Sequence, residues 1–216
     1  SFDFLQILTN SAGNLYLDDA NNAPIITTTD SYNDGRWHHV AFVRDATEKT
    51  IYLYVDGVVK GSETYTTSGP TDPGMELRFG NSEFLGGSYQ MDGLLDEIRV
   101  WYDVRTAAEI RENMCKMLTG NEPNLKGYYT FDNSSGIILQ DFSGNGNDGT
   151  LTNMDAANDW ITSTAFNTWL NTNSSIWSTA SNWSLGIVPA STGNVGIVNY
   201  TGGVSPDLSG NPSLNN

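Results

Sequence analysis

The sequence is poor in cysteine and in positive charge. Cys115 is its one cysteine, so no internal disulfide can form, and stability has to come from a hydrophobic core, with bound cations as a second source. Lys and Arg number 10 against 25 Asp and Glu, which gives a net charge of −15. Such a surface repels nucleic-acid phosphates and anionic lipids. We therefore expect no nucleic-acid partner.

The sequence also lacks a long apolar run. No run approaches the roughly 20 residues that span a bilayer, and the first residues do not resemble a signal peptide. We expect no membrane insertion, and we expect any secretion signal to lie outside this sequence. Charged residues make up only 16%, whereas aromatic residues reach 11%, which favours packed structure over disorder. A length of 216 residues accommodates one large β-sandwich or a domain and a half.

The hydrophobic pattern predicts mostly short β-strands. In residues 50–55 apolar and tyrosine side chains alternate, which is typical of a strand with one face in the core. Asp56 and Gly57 follow as a two-residue type I′ turn, whose two central positions both need positive φ. Further strands are predicted at 4–9, 14–17, 25–28, 39–44, 58–60, 76–79, 91–102, 125–131 and 137–139, with a closing strand near Trp160. Asp18 and Asp19 are interpreted as a solvated turn.

One helix is predicted after these strands. Thr106 and Glu109 have the spacing of a capping box, and apolar residues then recur at helical spacing as far as Leu118. Cys115 lies beside this stripe and is interpreted as a small core residue. From about residue 167 the chain is nearly free of charge and rich in Asn, Ser, Thr and Trp. We place a domain boundary near 164–168, with one domain at 1–165 and the start of a second β-rich domain at 166–216.

Three motifs in order carry a family resemblance: RWHHVAFV at 36–43, IYLYVDG at 51–57 and LLDEIRVW at 94–101. They resemble the laminin-G-like, concanavalin A-like lectin/glucanase superfamily. GYYTFD at 127–132 and DFSGNGNDGTL at 141–151 are similar to the version common in large secreted and surface proteins of the Bacteroidota. The resemblance implies an all-β, antiparallel jelly-roll β-sandwich with one short helix. It also implies that further strands precede Ser1.

The segment that follows the predicted sandwich carries a second, shorter resemblance. Trp177 and Trp183 have a W-x5-W spacing that is similar to the start of Trp/Asn-rich repeats in the same kind of surface protein. This resemblance implies a β-rich repeat that is truncated at residue 216.

Catalysis is not expected. Glucanases on this fold carry a Glu-x-Asp-x-x-Glu strand motif, which is absent here, and Glu109 and Glu112 fall on the predicted helix. His38 and His39 are adjacent on an extended segment, so their side chains point to opposite faces and cannot easily bind one ion together. The sequence also lacks a serine nucleophile-elbow motif.

Calcium is the metal that the sequence favours. Asp96 falls in line with core residues of a predicted strand, where an unpaired carboxylate costs several kcal/mol. In related sandwiches, the carboxylate at the matching position helps to bind a structural Ca²⁺. Asp141, Asn145 and Asp148 form a second acidic loop that either converges with Asp96 or makes Asx-turns.

The expected function is a non-catalytic extracellular adhesion or carbohydrate- or protein-binding module within a large secreted or cell-surface protein. Tyr65, Phe84 and Tyr89 lie in or near predicted loops, where aromatic rings can stack on sugars. The expected partners are a glycan or an extracellular protein, together with neighbouring domains of the same chain. Two alternatives remain open at this point: a structural spacer of a surface adhesin, and an appended domain of a polysaccharide-degrading enzyme.

Overall fold

A computed structural model describes residues 5–19, 24–65, 76–81, 90–163, 165, 167–168, 178–183 and 195–196. The chain forms two compact units. Unit 1 consists of Ser1–Leu95 and Asp103–Met114, and unit 2 consists of Asp96–Tyr102 and Cys115–Asn216. None of the helices in the described ranges combines the length and the hydropathy that crossing a bilayer requires. The predicted domain boundary near 164–168 stays a prediction.

Unit 1 contains two antiparallel three-stranded sheets. The first has the order β1-β2-β3, and the second has the order β4-β5-β6. Asp56 and Gly57 join β5 to β6 with φ angles of 51° and 72°, which confirms the predicted turn. The six strands are β1 (Leu5–Thr9), β2 (Asn14–Asp19), β3 (Pro24–Ser31), β4 (Val40–Asp45), β5 (Thr50–Val55) and β6 (Val58–Thr64).

The two sheets of unit 1 pack face to face, as in a β-sandwich. Leu17 from the first sheet and Ile51, Leu53 and Val55 from the second are fully buried in one cluster. Burying a side chain of this size contributes about 1.5 to 3 kcal/mol, so this cluster is the main source of stability in the unit. The alternation in β5 therefore places its apolar face in the core, as predicted.

The opposite face of β5 is covered by the helix α1 (Ala107–Asn113). Ile110 packs there against Val43 and Tyr54, so Tyr54 is buried as well. The helix starts at the predicted capping box, in which Glu109 N–H donates to the Thr106 hydroxyl oxygen at 3.2 Å and Thr106 N–H donates to the Glu109 carboxylate at 2.8 Å. The helix ends at Asn113 with Met114 as its C-cap, so the predicted stripe as far as Leu118 is longer than the helix itself.

Unit 2 is built from short paired strands. β7 (Ile98–Trp101) pairs antiparallel with β8 (Leu125–Tyr129), and a small core forms around Trp101, Leu118, Leu125 and Tyr128. The remaining pairs are β9 (Ile138–Leu139) with β10 (Gly149–Thr150), which is antiparallel, and β11 (Asn167–Thr168) with β12 (Val195–Gly196), which is parallel. The all-β, mostly antiparallel fold with one short helix is thus as the sequence predicts.

Four local expectations are wrong. Residues 76–79 form no strand, and the predicted strand at 91–102 is regular only at Ile98–Trp101, because Glu97 has a φ of 53° that interrupts extended structure. No strand forms at Trp160, whose indole N–H donates to the Gly136 carbonyl at 2.8 Å. Asp18 is not a solvated turn residue: it lies in β2, is 8% exposed and accepts a hydrogen bond from Gln6 Nε2 at 3.3 Å.

Candidate functional site

Asp96 lies two residues before β7 and is half-buried. One carboxylate oxygen accepts a hydrogen bond from Glu97 N–H at 2.8 Å, and the other accepts one from the Ser163 hydroxyl. Burial raises the pKa of Asp96 and the negative charge of Asp132 adds to the effect, whereas the hydrogen bonds from Ser163 and Glu97 oppose it. The two hydrogen-bond donors to Asp96 are thus neutral groups, and the positive charge of Arg99 also acts to lower its pKa.

Asp141 organises the loop at residues 141–148. Its Oδ1 accepts hydrogen bonds from the backbone N–H groups of Tyr128 at 3.0 Å and Ser143 at 2.8 Å, and its Oδ2 accepts one from Asn147 N–H at 2.9 Å. Burial acts to raise the pKa of Asp141, but the hydrogen bonds from Ser143, Asn147 and Tyr128 outweigh it and lower the pKa. The Asp141 carboxylate thus fixes the conformation of the 141–148 loop.

The other two predicted loop ligands also make hydrogen bonds within the protein. Asp148 Oδ1 accepts from Asp141 N–H at 2.8 Å, and Asn145 Nδ2 donates to the Leu125 carbonyl at 3.0 Å and to Ser143 Oγ at 2.9 Å. In the described ranges, no group of three or more His, Cys, Asp or Glu residues is arranged to hold a metal ion. Calcium binding by this chain stays a prediction.

The structure describes one of the three aromatic residues that the sequence proposes for sugar stacking. Tyr65 is 6% exposed and belongs to the core cluster of unit 1. Its hydroxyl donates to the Asp45 carbonyl at 3.2 Å, and the Arg44 guanidinium lies 5.0 Å from the ring centroid. Because its ring is packed in this way, it offers no free face to a sugar. Phe84 and Tyr89 lie outside the described residues.

A buried charged cluster in unit 2 was not anticipated from the sequence. Arg99 Nη2 lies 2.7 Å from Glu97 Oε2, and the two side chains are only 7% and 8% exposed. Tyr128 donates its hydroxyl hydrogen to Glu97, with oxygen distances of 2.8 and 3.1 Å, and Arg99 also donates to the Lys116 carbonyl at 2.5 Å. Burial raises the pKa of Glu97 although Arg99 opposes it. The carboxylate is therefore enclosed and hydrogen-bonded within unit 2.

Tyr102 is the most exposed large hydrophobic side chain among the described residues, at 82%. It follows the last residue of β7, and its backbone N–H donates to the Asn124 carbonyl at 2.9 Å. The Lys126 ammonium lies 5.8 Å from the centroid of its ring. The side chain of Asn147 donates to the Lys126 carbonyl at 2.8 Å, which ties this part of β8 to the 141–148 loop.

The Tyr102 surface consists of Tyr102 and Lys126. It presents an accessible aromatic ring beside a positive charge, a combination that can contact the apolar face and a polar substituent of one ligand. Sequence patterns do not reveal this surface, because they predict 91–102 as one continuous strand. The sequence feature that could have pointed to this surface is the position of Tyr102 directly after the LLDEIRVW motif.

One solved structure agrees with this fold. A structure of a putative carbohydrate binding protein from Bacteroides ovatus is 23% identical in sequence, with a TM-score of 0.57. The match covers 74% of this chain and 48% of that protein, so this chain spans about half of its length. The structure of an S-layer domain-containing protein from Clostridium thermocellum is 22% identical, with a TM-score of 0.28, and the match covers 52% of this chain and 57% of that protein.

Two further comparisons concern the sequence alone. No curated protein matches the sequence significantly. The family model of the concanavalin A-like lectin/glucanases superfamily matches residues 3–111, about half of the 216 residues. This chain therefore belongs to the concanavalin A-like lectin/glucanases superfamily.

Proposed function

We propose that this chain is a non-catalytic carbohydrate-binding module and that the ring of Tyr102 is its sugar-stacking platform. The observation that carries the proposal is the 82% exposure of this ring. Two comparisons support it. The superfamily includes lectins, and the similar protein from Bacteroides ovatus is described as a putative carbohydrate binding protein.

The geometry of Tyr102 suits stacking on a sugar. The C–H faces of pyranose rings are apolar, and an exposed aromatic ring can bury them while its hydroxyl stays hydrated. The backbone of Tyr102 is held by the hydrogen bond to Asn124 and by the adjacent strand pair β7–β8. A tyrosine on a fixed backbone has few rotatable bonds to order on binding, so little conformational entropy is lost.

The carboxylates near β7 support a module without catalysis. Glycoside hydrolysis uses two carboxyl groups that face the scissile bond from opposite sides, about 5 to 9.5 Å apart. Glu97 is buried in its ion pair with Arg99, and Asp96 is hydrogen-bonded to Ser163. Neither is placed as a free acid or base beside Tyr102. We accordingly propose that any hydrolysis of the bound glycan is performed by another domain or another protein.

We further propose that the module works outside the cell, in a secreted or cell-surface protein. Its glycan would then be a component of a matrix or of another cell surface. The strongly acidic composition and the abundance of small uncharged polar residues suit this setting. A module that binds no glycan would instead be a spacer between other domains.

A glycan array, followed by calorimetry on the best ligand, tests the proposal. Tyr102→Ala is expected to weaken binding by about tenfold or more, since one stacked ring contributes roughly 1.5 kcal/mol. Tyr102→Phe keeps the ring and is expected to retain binding. Leu77→Ala, which truncates another exposed side chain at 62%, is the control for a general surface effect. Wild-type protein that binds no glycan, or a Tyr102→Ala variant that binds as well as wild type, contradicts the proposal.

A further inference from the structure

We propose that the Tyr102 surface selects sugars that carry a carboxylate, with Lys126 as the residue that binds the acid group. This inference rests on the proposed function, because it names the ligand class of the same surface. It concerns an isolated acid, as in a uronic or sialic acid residue, and not a polysulfated chain.

The first support is the position of Lys126 at a bulge. In the β7–β8 ladder, Val100 pairs with Gly127 and Trp101 pairs with Leu125, so Lys126 is the extra residue on β8. A bulge redirects a side chain relative to a regular strand. At this bulge, the ammonium lies 5.8 Å from the centroid of the exposed Tyr102 ring. Tyr129 and Asn147 brace the region, since the Tyr129 hydroxyl donates to the Asn147 carbonyl at 2.7 Å.

The second support is that no described residue forms a salt bridge with Lys126. Within the part of the chain that the structure describes, the Lys126 ammonium forms no salt bridge. The chain has 25 acidic and 10 basic residues, and no Lys or Arg follows position 126. Arg99, a neighbouring cation of the same unit, is buried in its pair with Glu97. Lys126 is therefore a positive charge available to a ligand in an acidic region of the sequence.

The ligand class follows from these two groups together. Because the ammonium lies over one face of the Tyr102 ring, a sugar stacks on the opposite face, and a carboxylate that extends past the ring edge can accept a charge-assisted hydrogen bond from the ammonium. The net charge of −15 opposes the approach of polyanions. A sugar with a single carboxylate suits this surface. Its carboxylate is attracted by the nearby Lys126 ammonium, and one negative charge is repelled only weakly by the net charge of the protein.

Matched oligosaccharides test the inference. Each neutral oligosaccharide on an array is paired with a counterpart that carries one uronic or sialic acid, and sulfated polysaccharides form a third group. Wild-type protein is expected to bind the singly acidic members about tenfold more tightly than their neutral counterparts. Lys126→Gln is expected to remove this preference, so that the ratio of acidic to neutral affinity falls from about tenfold to about one. Lys116→Gln, at another exposed lysine of unit 2, is the matched control and is expected to change neither.

The outcomes separate this inference from the proposed function. Equal binding of neutral and acidic sugars, an unaffected Lys126→Gln variant, or tightest binding to the sulfated polysaccharides overturns the carboxylate preference. If Tyr102→Ala still abolishes binding in those cases, the proposed function stands. If no glycan binds at all, both are overturned. Melting curves of each variant check that the substitutions leave the fold intact.

Discussion

The imidazole of His38 lies 2.8 Å from the carboxylate of Asp56, measured from Nδ1 to Oδ2. On the other side of the ring, Nε2 lies 3.1 Å from Asp34 Oδ1. A neutral imidazole has one N–H group, so only the doubly protonated ring can donate to both carboxylates. This arrangement favours the imidazolium form of His38, which ties residues 34–38 to the turn between β5 and β6.

Further aromatic and charged side chains surround His38 and its two carboxylate partners. Tyr32 packs its ring edge-on against the imidazole, with centroids 5.0 Å apart, and Lys60 lies over Tyr32 while pairing with Asp30 at 2.9 Å. Arg36 lies 3.6 Å from Asp34. Burial lowers the pKa of His38, but the hydrogen bonds to Asp56 and Asp34 outweigh it, so the pKa is raised above its ordinary value of 6.5.

The first prediction concerns pH. Because the folded pKa of His38 is raised, its contribution to stability is fully present below the unfolded pKa of about 6.5 and is lost as pH rises through the folded pKa. We expect the difference in unfolding free energy between wild type and His38→Gln to be about 1 to 2 kcal/mol at pH 6 and to shrink above neutral pH. Urea titrations at a series of pH values measure it, and a difference that is independent of pH would contradict the imidazolium assignment.

The second prediction concerns the buried pair Glu97–Arg99. Glu97→Gln removes the carboxylate charge that lies 2.7 Å from the buried Arg99 guanidinium, so we expect a loss of about 3 kcal/mol in unfolding free energy. Glu76→Gln is the matched control, since Glu76 pairs with Arg78 at 3.1 Å but is 77% exposed, and we expect it to cost less than about 1 kcal/mol. Urea denaturation measures the unfolding free energy of both variants. Equal losses would contradict the expected difference between a buried and an exposed ion pair.

The third prediction separates backbone strain from steric overlap at glycine. Gly57 and Gly35 both have positive φ, at 72° and 76°. A Cβ at Gly57 would lie 2.4 Å from Arg111 Cγ, whereas nothing lies within 4 Å of a Cβ at Gly35. We expect Gly35→Ala to cost about 1 kcal/mol from strain and Gly57→Ala about 2 to 4 kcal/mol from strain plus displacement of the α1 side chain. Thermal melting measures both, and a smaller loss at Gly57 contradicts this account.

The fourth prediction is the calcium site at Asp96. A cation bound there stabilises the folded state by mass action, so EDTA is expected to lower the melting temperature by roughly 5 to 10 °C when calcium was present at about 100 times its dissociation constant. Asp96→Asn is expected to abolish this response, and Asp92→Asn, at an exposed carboxylate, is expected to retain it. A wild-type melting temperature that EDTA leaves unchanged rules the site out.

Local features were predictable from the sequence because short-range chemistry decides them. The alternation in β5, the turn at Asp56 and Gly57, and the capping box of Thr106 and Glu109 each depend on residues within a few positions of one another. The three family motifs likewise predicted an antiparallel all-β fold with one short helix, which the structure confirms.

The regions that sequence patterns misassigned depend on distant partners. Alternation placed Asp96 and Glu97 in a continuous strand, but Glu97 turns inward with positive φ to meet Tyr128, 31 positions along the chain. Tyr65 was expected near a loop, yet β-sheet packing encloses it. Periodicity registers which residues are apolar, and it carries no information about a partner that lies 20 or 30 positions away.

The sequence by itself determined the strand and helix periods, the tight turn, the acidic character and the family. Only the tertiary structure decided which charges are paired and which rings are exposed. It enclosed Glu97 with Arg99, placed His38 between two carboxylates, and left Tyr102 open beside Lys126. The physical reason is that burial and pairing depend on groups that folding brings together. Residues of the same type therefore become core residues, ion-pair partners or binding-surface residues according to their neighbours in space.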